Sequence, residues 1–318
     1  MKLQTQVSIP EGKSKIDYRS KIVLLGSCFS ENIGEKFQYY KFQSLQNPLG
    51  ILFHPFAIER FLQRVVQQEK FATKDIFQHQ EIYSCFEAHS RMNALSEDEI
   101  LQNLNAALEE TFQFLKKASH VIITLGTSWI YKHVEQNTYV ANCHKIPQKN
   151  FRKELSSIAE LEKSIQTSVE YIRQLNSDCQ FIFTVSPVRH SKDGFVENLR
   201  SKSHLISALH QVLENKNQLN YFPSYELMMD ELRDYRFYAE DLLHPSKIAV
   251  QYIWEKFAET WFSSESLKTM TEVEKIQQGL HHRAFNPKSE AHQQFQEKLQ
   301  QRIKNLQKEL PHLSFYKK

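Results

Sequence analysis

Four short runs of almost unbroken apolar residues punctuate the chain, at 22–25, 121–125, 181–185 and, more weakly, 219–222. Apolar side chains on successive positions predict strands covered on both faces, as in a parallel sheet held between helices. The intervening segments change to helical spacing. Ser96 with Glu99 forms a capping-box pattern ahead of Ile100, Leu101, Leu104, Leu108, Phe112 and Leu115, and Ser157 with Glu160 repeats it ahead of Leu161, Ile165, Val169 and Ile172. Strand and helix in alternation imply right-handed crossovers and an α/β fold, a three-layer α/β/α sandwich around a mainly parallel sheet.

Two stretches break the rhythm. Residues 127–147 carry two aromatic-rich runs around a polar turn, which predicts an inserted β-hairpin. After Phe262 the composition turns to Gln, Lys and Glu, with an apolar stripe at Phe295, Leu299, Ile303, Leu306 and Leu310. The expected division is a main domain over 1–262 and a C-terminal helical extension over 263–318, whose stripe suits a helix lying on the main body or on a second copy of the chain.

Composition narrows the classes of partner. Of the 318 residues 41% are hydrophobic, enough for one sizeable core, and 40 basic against 37 acidic side chains leave a formal charge of +3. That balance argues against a nucleic-acid or lipid-binding surface. No apolar run reaches membrane-spanning length, and the first residues lack the pattern of a secretory signal, so a cytoplasmic setting is expected. Cys28, Cys85, Cys143 and Cys179 are scattered with no CxxC pair and read as free thiols.

Ligands of open α/β sheets sit outside the C-terminal ends of the strands. There the first strand presents Gly26-Ser27-Cys28, the second Gly126-Thr127-Ser128 and the third Ser186-Pro187-Val188-Arg189-His190. Further on, Asp241 precedes His244 by three residues, with Pro245 and Ser246 opening a helix whose buried side is expected to carry Ile248, Tyr252, Ile253 and Trp261. A carboxylate at that spacing on a tight loop can hold one ring nitrogen and leave the other free as a base. A thiol at a helix N-terminus near an imidazole is a good nucleophile.

The stretches LLGSCFSENIGEKF, NPLGILFHP, ITLGTSWIY, NCHKIP, TVSPVRH and MMDELRDYRFYAEDLLHPS together resemble the GSCFA domain family, a bacterial group related to the SGNH (GDSL-like) hydrolases. The resemblance covers about 21 to 262 and implies a flavodoxin-like hydrolase fold with acyl-ester chemistry. On the SGNH pattern, Gly26 matches the glycine of Gly-Asp-Ser, Ser27 falls on the aspartate and Cys28 on the nucleophile, while a shift of one residue in the turn would present Ser27. Gly50 matches the glycine whose N–H joins the oxyanion hole. At the third block Gly126-Thr127-Ser128-Trp129 departs from Gly-x-Asn-Asp, leaving Ser128, or Asn142 if the hairpin folds over the strand ends, as the remaining donor.

The resulting expectation is a hydrolase or acyltransferase for an ester or thioester of a small acyl group, working through a covalent acyl-enzyme and needing no cofactor or metal. Cys28 or Ser27 attacks, His244 moves the proton and Asp241 orients the imidazole; His144, Lys145, Arg189 and His190 line the pocket or hold an anionic substrate group. Two other readings stay open: a binding domain that keeps the scaffold without efficient chemistry, and a metal or redox site on Cys28 and Cys143, with His144 and His244 as further ligands.

Overall fold

The first strand, β1 (Lys21–Gly26), already fixes the layering: Val23 and Leu25 turn to one side, Ile22 and Leu24 to the other, and all four are buried. A computed structural model describes residues 4–214 and 218–315. After β1 come α1 (Cys28–Tyr39), β2 (Gln43–Gln46) and α2 (Pro55–Gln67), then a small antiparallel pair, β3 (Phe77–His79) with β4 (Ile82–Ser84). Helix α3 (Glu97–Leu115) leads to β5 (His120–Leu125). The inserted sheet comprises β6 (Trp129–His133), β7 (Thr138–Val140) and β8 (Phe151–Leu155). The chain continues through α4 (Ile158–Leu175), β9 (Gln180–Val185), α5 (Phe195–Leu213) and β10 (Leu219–Tyr221). A short α6 (Ser224–Glu226) runs into a π-helical turn, and α7 (Lys247–Trp261), α8 (Ser264–His281) and α9 (Glu290–Glu309) close the fold.

The main sheet is five-stranded and parallel, in the order β10-β9-β5-β1-β2. The strand order reverses at β1 and β5, so the crevice outside their C-terminal ends is where such a sheet takes a ligand. On one face α2, α3, α4 and α5 bury Phe61, Leu104, Ile165 and Leu209 among others. On the other, α1, α7, α8 and α9 bury Phe37, Trp254, Ile276 and Ile303. The C-terminal stripe is thus covered within the chain by Leu299, Ile303 and Leu306 packing into that second layer, while Phe295 stays partly exposed.

Both serine caps form: Ser96 accepts from the Glu99 N–H, and Ser157 and Glu160 make the full reciprocal box. Two strands carry no clear apolar signature and escaped the sequence reading. Strand β2 is Gln-Ser-Leu-Gln, a half-buried edge strand. Strand β8, Phe-Arg-Lys-Glu-Leu, extends the expected hairpin to three strands by pairing with β6. In α7 the buried side is Ala249, Ile253, Trp254, Phe257 and Trp261, and Ile248 is 68% exposed, a correction to the face assigned from spacing.

Candidate active site

Strand β1 ends in a conformation only glycine tolerates. Gly26 has φ +131°, and a Cβ there would stand 2.1 Å from the Thr124 carbonyl oxygen. The Ser27 N–H donates to that same oxygen (3.0 Å), which pins the turn to β5 and starts α1 at the next residue. Asn47, buried at the end of β2, braces the turn by accepting the Gly26 N–H on Oδ1 (2.9 Å). Ser27 is 0% exposed and its hydroxyl meets no hydrogen-bond partner. Cys28 is half-buried, and its Sγ lies 3.7 Å from His244 Nε2. Of the two nucleophile candidates, the turn brings the thiol to the imidazole and not the hydroxyl.

The loop before α7 is built around Asp241. Its Oδ1 accepts the N–H groups of Leu243 (2.9 Å) and His244 (3.0 Å), and its Oδ2 lies 2.6 Å from His244 Nδ1. Two backbone bonds close the loop, from the Ala239 N–H to the His244 carbonyl (2.8 Å) and from the Ser246 N–H to the Phe237 carbonyl (2.8 Å). With Nδ1–H assigned to the carboxylate, the lone pair on Nε2 faces Sγ. The His244 and Leu243 backbone amides, with the ring, hold the Asp241 carboxyl down to about 2. The Cys28 thiol is pushed up, first by burial; Lys202 opposes this, Glu31 adds to it, and the Phe29 and Cys28 amides at the head of α1 pull the other way. Burial outweighs the helix terminus, so the resting group is a thiol with a base beside it.

The other expected residues fall into two sets. Close to the crevice, the Gly50 N–H is committed to the Asn47 carbonyl (2.7 Å), and the Ser128 hydroxyl donates to the Ser201 carbonyl (3.0 Å). Arg189 rests on the Met229 sulfur (3.0 Å). The His190 N–H donates to Asn198 Oδ1 (2.9 Å), its ring packs edge-on against Phe53, and its imidazole is held down to about 4, first by burial and then by Lys202. Away from it, the inserted hairpin is tied to a different loop. The Ala141 N–H donates to the Phe86 carbonyl (2.7 Å), Asn142 Oδ1 accepts the His144 N–H (2.8 Å), and His144 Nε2 faces the carbonyls of Cys85 (2.7 Å) and Ala88 (3.1 Å). These bonds make His144 a buried clip for the hairpin, with Lys145 exposed beside it. Burial pushes the Cys143 thiol up to about 11. Among the described residues no three His, Cys, Asp or Glu side chains gather as a metal site, so Cys28, Cys143, His144 and His244 do not form the ligand set considered from sequence.

Lys202 was missed. It is 0% exposed, and its Nζ donates to the carbonyls of Gly126 (2.6 Å) and Ser186 (2.8 Å), the residues that follow β5 and β9. The signal was present: extending the buried α5 stripe Val212, Leu209 and Leu205 back by helical spacing lands on Ser201, Lys202 and Asn198, polar residues on a core face. Ser201 binds the Ser128 N–H (2.8 Å) and bonds with the Thr127 hydroxyl (3.0 Å), so consecutive α5 residues latch the whole Gly126-Thr127-Ser128 turn.

The chain belongs to the GSCFA family, whose model matches residues 21–257, and residues 273–318 match the C-terminal domain of GSCFA domain proteins. No curated protein sequence matches it. Among solved structures it is similar to a carbohydrate esterase family 3 protein from Talaromyces cellulolyticus, at 8% identity and TM-score 0.36, covering 80% of this chain and 99% of that one. An acetyl xylan esterase from the rumen bacterium Butyrivibrio proteoclasticus matches at 9% identity and TM-score 0.42, over 77% of this chain and 64% of its own. A variant acetyl esterase with an acetate ion matches at 8% identity and TM-score 0.35, over 80% and 99%. No helix among the described residues is long and apolar enough to cross a membrane.

Proposed function

We propose that this protein is a thiol-dependent acyl hydrolase or acyltransferase for an ester or thioester of a small acyl group. The observation that carries the reading is the contiguous chain from Cys28 Sγ to His244 Nε2 (3.7 Å) and from His244 Nδ1 to Asp241 Oδ2 (2.6 Å), set at the strand ends where the sheet order reverses. Nε2 takes the thiol proton as sulfur attacks the carbonyl carbon. The tetrahedral intermediate collapses to a thioester on Cys28, and His244 returns the proton to the leaving oxygen or sulfur. Water or a second hydroxyl, deprotonated by the same nitrogen, then attacks the thioester and frees the thiol. Asp241 keeps the ring in the tautomer this needs and stabilises the imidazolium. The first amides of α1, those of Cys28 and Phe29, face the sulfur and are the donors placed to meet the oxyanion.

A free thiol nucleophile suits a reducing, cytoplasmic compartment. In this reading residues 1–262 form the catalytic domain and 263–318 a helical extension of it, with residues 1–3, 215–217 and 316–318 lying outside the described residues. A second reading, a binding domain without turnover, is favoured by one observation: the Gly50 N–H and the Ser128 hydroxyl, two of the expected oxyanion donors, are both committed within the fold. Incubation with p-nitrophenyl acetate and with acetyl-CoA separates the two. Release of product with an acyl adduct on the Cys28 peptide, absent in Cys28→Ala, supports the enzyme; saturable binding with neither product nor adduct supports the binder.

A further inference from the structure

Lys202 lies buried against the ends of β5 and β9, and among the described residues no carboxylate lies within ion-pair distance of it. An unpaired buried charge costs several kcal/mol, so a fold that keeps one is completed by an anion that forms in its working state. The strand ends around it point to where that anion forms. Two protons of the ammonium are taken by the Gly126 and Ser186 carbonyls at the ends of β5 and β9. Gly26 of β1 lies beside Thr124 of β5, which lies beside Thr184 of β9, so the Cys28 turn is the next strand end along the same edge.

We propose that Lys202 is the counter-charge for the anion formed at Cys28 and supplies the stabilisation which Gly50 and Ser128 are not free to give. Extended from the thiolate to the tetrahedral oxyanion, the role rests on the acyl-transfer reading above. The coupling runs both ways: the lysine pulls the Cys28 thiol down against burial, and burial brings the lysine to about 7 even with Cys28 pulling it up. The other charged and titratable groups around the pair are few. Glu31, on α1, is paired with Arg91 (2.8 Å); His244 stands opposite with Asp241; His190 and Asp193 come from the segment after β9, where Asp193 is paired with Lys153.

The test is the pH profile of Cys28 alkylation by iodoacetamide, followed by mass on the Cys28 peptide, because it reads the thiolate without requiring ester turnover. Lys202→Met is expected to raise the alkylation midpoint by about one pH unit and to slow modification at neutral pH about tenfold. Lys202→Gln, which still donates to a carbonyl without the charge, is expected to do the same. An unchanged midpoint in a folded variant overturns the proposal and leaves Lys202 as a structural latch. A test that keeps the lysine compares Cys28→Asp with Cys28→Asn in a His244→Ala background at neutral pH: the Asp protein melts at or above the Asn protein if a cation faces position 28, and below it if none does. A shifted midpoint in a protein that turns over no ester sinks the catalytic reading and leaves the counter-charge standing.

Discussion

Sγ of Cys28 stands 3.7 Å from Nε2 of His244 although 216 positions separate the two residues. In the proposed reaction this imidazole is the base for this thiol, whose resting state burial keeps protonated. Cys28→Ala and His244→Ala are therefore each expected to lower kcat for p-nitrophenyl acetate by at least about a thousandfold, and the double variant to lose little more, since groups acting as a unit are not additive. Ser27→Ala is expected to stay within about threefold of wild type. A Ser27 variant as inactive as Cys28→Ala would move the nucleophile by one residue.

Asp241 accepts three hydrogen bonds from the two residues it organises, two from backbone and one from the ring. Asp241→Asn presents an amide where Nδ1–H needs an acceptor and favours the wrong tautomer, so kcat is expected to fall about 10²–10⁴-fold while the melting temperature changes little. Its carboxyl titrates at about 2 in the fold, below the ordinary value near 3.9. A depressed carboxyl contributes stability that is complete above its unfolded value and fades as the pH drops toward 2.

The parallel core and the residues that meet at the strand ends were legible in the sequence because both are written in short local patterns. Val23 to Leu25 has no polar residue to confuse the period and Val121 to Leu125 has only Thr124, and Asp241 with His244 sits within one loop. Strands β2 and β8 were not, because an edge strand exposes one side and satisfies its backbone on the other, so Gln-Ser-Leu-Gln carries no hydrophobic signal. Asn142 was expected as a donor if the hairpin folded over the strand ends, and His144 as lining the pocket; where a three-stranded insertion leans is decided by bonds such as Ala141 to Phe86, which no local pattern records. Lys202 was hidden for the opposite reason, since a lysine on a helix is ordinarily read as a solvated face and only its neighbours on the buried stripe betray it.

The turn that presents Cys28 depends on the absence of a side chain at Gly26. Its φ of +131° strains any other residue, and a Cβ would meet the Thr124 carbonyl carbon at 2.8 Å and its oxygen at 2.1 Å, both backbone atoms that cannot move aside. Gly26→Ala is expected to destabilise the fold by at least about 2 kcal/mol and to lower the melting temperature by about 5 °C or more. Calorimetry on the variant checks this, and a melting temperature within a degree of wild type would mean that the turn has an alternative path.

His54 gives the fold a calculable response to acid. It is buried at the head of α2, where Nδ1 accepts the Phe56 N–H (3.1 Å) and Nε2 lies 3.1 Å from the Ser156 hydroxyl, and burial pulls its imidazole down to about 3. An unfolded chain takes up a proton on this residue near pH 6.5 while the folded one does not, so the stability it confers is complete above that value and is lost as the pH falls toward 3. The slope is about 1.4 kcal/mol per pH unit for each such group. His190, held to about 4, and His120 and His144, also lowered by burial, steepen the loss. Urea midpoints between about pH 7.5 and 5 are expected to fall in wild type and to fall less in His54→Gln, even though the variant starts lower for want of its helix cap. Parallel lines for the two proteins would show that His54 is protonated in the fold, and that the Ser156 contact is then made by an imidazolium.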